Sequence, residues 1–306
     1  MFFSRIPALC VLVALSGHAA AQADKAFIKF KDGVPDYGRS LEEMHKTLGE
    51  LAKEGESEAE KALARLKAYR YLCRLPYADL ALDAEYTKYA LAASKICKEL
   101  GRLDHRPKNP GWPEEEFKLA LKGTSSSSLS FGERNLSQAL DGWMDDSDKF
   151  NIEHLGHRRW CINPLMTKTG FGRTGNFSAM YTFDMSRGKS PDFSYVAYPP
   201  AGYVPVKLFG KRHAWSISVN PAKFQPPDKE TKASICRLDD EGAKKEKLEL
   251  DFTSLSTIPF GIPNCLVFRP AKLDMAPGTR YLVEIEGVRP RGKGETTLRY
   301  VVEFAK

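Results

Sequence analysis

The sequence predicts an α+β protein in two parts, an α/β domain to about residue 188 and an all-β domain after it. Three observations carry this. Apolar residues recur at helical spacing from Ser40 to His105. A glycine-rich, aromatic stretch, TGFGRTGNFSAMYTFDM, follows and reads as strands. From Tyr195 onward helix signals nearly vanish, and seven or so short strand-like runs are separated by Pro, Gly and Asp clusters. That pattern is what a β-sandwich looks like in sequence.

The chain has 306 residues, and its first 23 read as a secretory signal peptide. Arg5 precedes an apolar run from Ile6 to Leu15, which is too short to span a bilayer. Cleavage is expected after Ala21 or Ala23, with Ala23 preferred because the chain turns charged at Asp24. The expected location is therefore exported, periplasmic or extracellular, with no lipid anchor and no later transmembrane segment. The mature region, 24–306, divides into a domain at 24–188 with an N-terminal helical extension and a β-sandwich at 189–306. A net charge of +7 suits an anionic envelope surface and falls short of a nucleic-acid signature.

In the first domain, SLEEMHKTLGELAKEG places Leu41, Met44, Leu48 and Leu51 on one face, with Ser40 as N-cap and Gly55 as a stop. ESEAEKALARLKAYRYLCRLP repeats the pattern until Leu75-Pro76 breaks it. A third helix runs from the cap Asp83 to Gly101. EEEFKLALK is a short acidic helix, and the serine run that follows reads equally as loop or linker. NLSQALDGWMDD is a further helix with Leu136, Leu140 and Trp143 on one side. The runs of the second domain are YVAYPPAGYVPV, AWSISVN, KASICRL, KLELDF, CLVFRP, YLVEIEGV and TLRYVVEF.

HLGHRRWCINP, His154 to Pro164, concentrates the chemistry-bearing residues. His154 and His157 would share a helix face and could bind zinc. However, Glu153 lies before the first histidine, where a zinc-protease motif needs it after, and Gly156 makes the helix doubtful. Ser127, His105, His157 and Asp146 are possible parts of a nucleophilic set, but no G-x-S-x-G elbow supports one. Arg158 and Arg159 suit either an anion or carboxylate partners.

The order of pieces says more than any one of them. LDH at Leu103–His105, SSLSFG at Ser127–Gly132, WMDD at Trp143–Asp146, GHRRWCINP at Gly156–Pro164 and TGFG at Thr169–Gly172 resemble the CAP superfamily. That superfamily groups cysteine-rich secretory proteins, insect antigen 5 and plant pathogenesis-related proteins. The resemblance covers roughly residues 65–185. It implies an α-β-α sandwich whose central cavity often holds two histidines and two acids. His105 and His157 match the histidines, Ser127 falls where the first acid stands, and Asp146 matches the second. His105 and His157 should then face each other across the cavity, with His154 peripheral. No cofactor is required, although two imidazoles and one carboxylate could hold zinc with water in the fourth place. The second domain resembles the immunoglobulin-like modules found after such domains.

Five cysteines follow the signal peptide. In this frame Cys236 and Cys265 are expected to pair between sheets, and Cys73 with Cys161, leaving Cys97 buried and free; Cys73–Cys97 is the rival pairing. The expected function is a monomeric, non-enzymatic exported protein that binds an apolar or envelope-derived ligand, or a partner protein, near His105 and His157. The alternative is a hydrolase, perhaps a peptidase, using His105, His157 and Asp146, against which the missing first acid argues. A third reading is a structural envelope module that only makes contacts.

Overall fold

The structure, a computed structural model, describes residues 37–306 and the backbone of a small strand pair, β1 (Phe30–Lys31) and β2 (Val34–Pro35). The expected signal peptide lies outside the described residues. Among the described residues no helix is long and apolar enough to cross a membrane.

Helix α1 (Leu41–Leu51) begins where Ser40 accepts the Glu43 amide. α2 (Glu58–Leu72) opens with a capping box, in which Ser57 accepts the Glu60 amide and the Glu60 carboxylate accepts the Ser57 amide. Strand β3 (Ala81–Leu82) leads into α3 (Ala84–Leu100), capped by Asp83 and ended by Gly101 at φ +64°. α4 (Glu114–Ser125) places three glutamates in its first turn, where the helix dipole favours them. β4 (Ser127–Phe131), α5 (Leu136–Asp145), α6 (Gly156–Cys161), β5 (Lys168–Thr174) and β6 (Phe177–Tyr181) complete the first half. The serine run is thus no linker: its last part is strand β4, buried at Ser127, Ser128 and Leu129.

These strands form one sheet in the order β3-β5-β6-β4. Leu129, Phe177 and Ala179 pack on Ala90, Ala93 and Cys97 of α3 on one face. Phe171 and Met180 join the core built with α2 and α5 on the other. Helices therefore cover both faces of the sheet. The glycines of TGFG explain how closely α3 sits. A Cβ at Gly170 would lie 2.2 Å from the Thr87 backbone nitrogen, and one at Gly172 would lie 2.2 Å from that of Leu91. Two strand residues advance about 6.6 Å and four helix residues about 6 Å, so successive inward glycines meet successive helix turns.

The second half contains β7 (Tyr195–Tyr198), β8 (Gly202–Pro205), β9 (Trp215–Val219), β10 (Lys232–Leu238), β11 (Lys244–Lys247), β12 (Leu250–Ser256), β13 (Cys265–Pro270), β14 (Arg280–Val288) and β15 (Thr296–Ala305). They form two sheets, β11-β10-β14-β15-β8 and β12-β13-β9-β7. Their inner faces meet through Trp215, Ile217, Leu266 and Phe268 on one side and Ile235, Val283, Val302 and Phe304 on the other. The expected seven runs become nine strands for two reasons. YVAYPPAGYVPV divides into β7 and β8, which join different sheets. KKEK forms the edge strand β11, whose four residues are all exposed and gave no apolar alternation to read.

Neither expected disulfide forms. Strand parity explains the first pair. Leu266 and Phe268 of β13 point into the sandwich, so Cys265 and Val267 point outward, where they pack on Ile152 and Leu155 of the first half. Ile235 of β10 likewise points inward, which turns Cys236 to the outer face of the other sheet. Cys73 and Cys161 are both buried thiols, and Cys73 donates to the Ala197 carbonyl at 3.6 Å. Burial pushes the Cys73 thiol up to about 12 and raises Cys97, Cys161 and Cys265 as well. A thiol held in its neutral form is a poor nucleophile. A disulfide-exchange reagent should therefore label Cys73, Cys97, Cys161 and Cys265 only slowly in the native protein and promptly in denaturant. Prompt native labelling, or a mass showing no free thiol, would contradict the fold described.

One apolar core runs through both halves. The Tyr69 ring of α2 lies 6.0 Å from that of Tyr198 in β7. Three fully buried arginines, Arg70, Arg158 and Arg159, reinforce the packing. Arg70 donates to the carbonyls of Pro76, Cys161, Asn163 and Met166, tying α2 to the chain on both sides of Asn163.

Candidate functional site

The turn between α5 and α6 is the centre of the site. Asp146 ends α5 at φ +49° and Leu155 precedes α6 at φ +48°. Leu155 has no side-chain oxygen with which to cap α6, and Asp146 does this from the end of the previous helix. Its Oδ2 accepts the amides of His157 at 3.0 Å and Arg158 at 3.4 Å, and its Oδ1 accepts His157 Nδ1 at 2.8 Å. The bond places the ring proton on Nδ1 and leaves Nε2 without a partner among the described residues. Burial pulls the His157 pKa down, but the bond and charge of Asp146 outweigh it, so the net shift is upward.

A group whose folded pKa is raised contributes stability that is complete below its unfolded value, here 6.5, and is lost as pH rises through the folded value. Asp146→Asn keeps a capping oxygen and removes the charge. It should cost about 1–2 kcal/mol near pH 6 and distinctly less near pH 9, read by urea unfolding. An unchanged cost across that range would remove the charged pair from the description.

The other expected residues lie apart from this pair in bonding. His105 is exposed, and its Nδ1 bonds the Thr124 carbonyl at 2.8 Å, at the end of α4. Ser127 is buried at the start of β4, and its hydroxyl has no partner among the described residues. Neither hydrogen-bonds to Asp146 or His157. Among the described residues no group of three or more His, Cys, Asp or Glu could hold a metal ion. His154 lies before α6, so it forms no helical pair with His157; its Nδ1 meets Ser256 Oγ at 3.2 Å.

The outward face of α6 is Gly156, His157 and Trp160, while Arg158, Arg159 and Cys161 are buried. His157 and Trp160, three apart, share that face. Phe183 stacks on Trp160 with ring centroids 4.4 Å apart, yet remains 47% exposed, and Met185 two residues on is 56% exposed. The imidazole, whose Nε2 has no partner among the described residues, thus shares its helix face with the tryptophan that Phe183 covers. That combination can hold an apolar group and donate or accept one hydrogen bond.

Residues 63–184 match the profile of CAP, the cysteine-rich secretory protein family. This segment is a CAP domain. No curated protein matches the chain. The order LDH, SSLSFG, WMDD, GHRRWCINP, TGFG is therefore that of a CAP domain, and the glycines of its last piece carry α3 of the CAP domain on β5.

Among the described residues, the two arginines of the CAP domain's GHRRWCINP piece donate to carbonyls and hydroxyls and pair with no carboxylate. Arg158 donates to the carbonyls of Met144 and Ala214, each at 2.7 Å, to that of Asp145 at 2.5 Å, and to Ser216 Oγ at 3.1 Å. Its guanidinium also lies 4.9 Å from the centre of the Tyr198 ring. Arg159 donates to the carbonyls of His154, Ile258 and Ile262 and to Ser256 Oγ. Each fork therefore joins the CAP domain to the β half.

Sequence reasoning missed a second acid–imidazole pair on this seam. His213 Nε2 lies 3.3 Å from Asp145 Oδ2, next to Ser147, whose hydroxyl accepts the Ala214 amide at 2.8 Å. Burial pushes the Asp145 carboxyl up, but its bond to His213 prevails and holds it below its usual value. The only linear signal was the doublet Asp145-Asp146. Nothing near His213 indicated that it would meet the first of them.

Proposed function

We propose that this is an exported, non-enzymatic binding protein whose CAP domain takes an apolar or envelope-derived ligand, or a partner protein, on the surface formed by His157, Trp160, Phe183 and Met185. The observation that carries the reading is the exposed Phe183 ring stacked on the half-buried Trp160, on the helix face of a histidine whose Nδ1 is already committed to Asp146. Exposed aromatic surface next to one oriented polar group suits binding. Hydrolysis would need a nucleophile or an activated water held near that histidine, and the nearest acid is engaged in capping α6 and orienting the ring. The reading requires no resident metal. The sandwich, whose first two strands pass from one sheet to the other, is read as an immunoglobulin-like spacer held against the CAP domain.

Native mass spectrometry of protein purified from its own host tests this. The expected result is a co-purified lipid or peptide on the wild type, lost in Trp160→Ala. An empty wild-type mass would sink the binding reading. Turnover in a broad peptide and ester screen, abolished by His157→Ala, would replace it with a hydrolase. Elemental analysis of the same sample reads any bound zinc directly.

A further inference from the structure

The N-terminal extension and the β half together add a pocket to the CAP domain. Its volume is about 410 Å³, within the roughly 300–1,000 Å³ of small-molecule sites. Its walls are the end of α1, one face of α2, the first turns of α5 and a 3₁₀ turn, Val206–Leu208. The CAP match runs from residue 63 to 184, so α1, Lys61 and the 3₁₀ turn lie outside it.

Two contacts fix how α2 and α5 line the pocket. Glu58 Oε1 accepts the Leu136 amide at 2.9 Å, and Arg65 donates to the two Asp141 oxygens at 2.8 and 2.9 Å. The helices therefore run side by side in the same direction, with Lys61 and Ser137 between the two contacts. Lys61, Ala64, Arg65 and Ala68 follow the spacing of one helix face. The 3₁₀ turn closes the far end. The Leu208 carbonyl accepts the Tyr198 hydroxyl, and the Tyr198 ring lies 6.0 Å from that of Tyr69, the neighbour of Ala68. Lys61 and Lys207 thus mark opposite ends, about 10 Å apart along α2 from Lys61 to Ala68.

The carboxylates between the ends are already met. Asp141 is held by Arg65 and by the Tyr69 hydroxyl at 2.7 Å, and Glu54 by Lys67 at 3.1 Å. Lys61 and Lys207 have no ion-pair partner among the described residues. The side-chain oxygens of Asn135 and Gln138 accept the Gln138 and Arg134 amides. Their amino groups, with the Ser137 hydroxyl, are what remain at the Lys61 end. The spare capacity is therefore that of donors, cationic at both ends, across a middle lined by Leu48, Leu51, Ala64 and Ala68. A fitting ligand has an anionic acceptor at each end and a short apolar chain between.

We propose that this pocket binds a short-chain dicarboxylate, with one carboxylate at Lys61, the other at Lys207 and the methylene chain over Ala64 and Ala68. The site shares no residue with the His157 surface and does not rest on its function.

Ligand-observed NMR titration of the purified protein with adipate, hexanoate and malonate tests this. Adipate should bind. Hexanoate keeps the chain but loses one carboxylate, and malonate cannot reach both ends, so each should be about tenfold weaker. Lys61→Gln and Lys207→Gln, both at exposed positions, should each weaken adipate several-fold, with the difference shrinking in high salt. Ala52→Trp, which fills the pocket from the exposed end of α1, should abolish binding. Trp160→Ala should leave it unchanged. Failure of adipate to bind, equal binding of adipate and hexanoate, undiminished binding in both lysine variants, or loss of binding in Trp160→Ala would each overturn the proposal.

Discussion

Arg158→Ala is expected to cost about 3–5 kcal/mol and to lower Tm by roughly 10 °C. Three carbonyls and the Ser216 hydroxyl receive donors from this one guanidinium. Removing it leaves buried acceptors without donors, each worth about 1–3 kcal/mol. Relief of the burial that already lowers the Arg158 pKa offsets part of that sum. Arg158→Lys should recover little, because an ammonium has three donors on a point and cannot span acceptors contributed by α5 and the start of β9. Urea unfolding followed by tryptophan fluorescence measures the loss. A cost below about 1 kcal/mol would show that the fork is dispensable and the seam rests on apolar packing alone.

Gly172→Ala is expected to be among the most damaging single-methyl changes in the CAP domain, costing about 3 kcal/mol or more. The new Cβ would stand 2.2 Å from the Leu91 nitrogen and 2.4 Å from the Ala90 carbonyl carbon. Both atoms belong to the α3 backbone, so no side chain can rotate away; the helix must lift off the sheet and pull Ala90 and Ala93 from their contacts. Gly188→Ala, with nothing near its ideal Cβ, is the matched control and should change stability by less than about 0.5 kcal/mol. Equal thermal midpoints for the two variants would mean that α3 does not ride on the glycines.

The helices of the first half were legible because each carried its own local signals. Ser40, Ser57 and Asp83 cap their helices as their side chains require, and Gly101 adopts the left-handed conformation that its lack of a Cβ permits. Apolar spacing around Trp143 likewise gave the buried face of α5. What stayed hidden depends on partners distant in sequence. Four consecutive serines read as a loop by composition, yet Ser127 and Ser128 pair with Tyr181 and Met180 of β6. The Cys236–Cys265 pairing failed because occurrence in a strand was read without parity, which sends the two to opposite outer faces.

The site shows the same division. Family order located Asp146 and His157, and the structure joins them at 2.8 Å. The direct reading of Arg158 and Arg159 looked for anions or carboxylates, because a guanidinium is usually considered by its charge. Here it is the number and geometry of its donors that matter, and their acceptors are backbone carbonyls, which every residue carries and no sequence distinguishes.

Strand β11 has a consequence at high protein concentration. It closes one end of the five-stranded sheet, and beyond it lies a row of backbone groups that another chain could copy. Its residues, Lys244, Lys245, Glu246 and Lys247, are all exposed. An incoming strand would have to desolvate those charges along its whole length, with three of the four of one sign. The poorest strand former in the second half is thus placed where a better one would invite fibres.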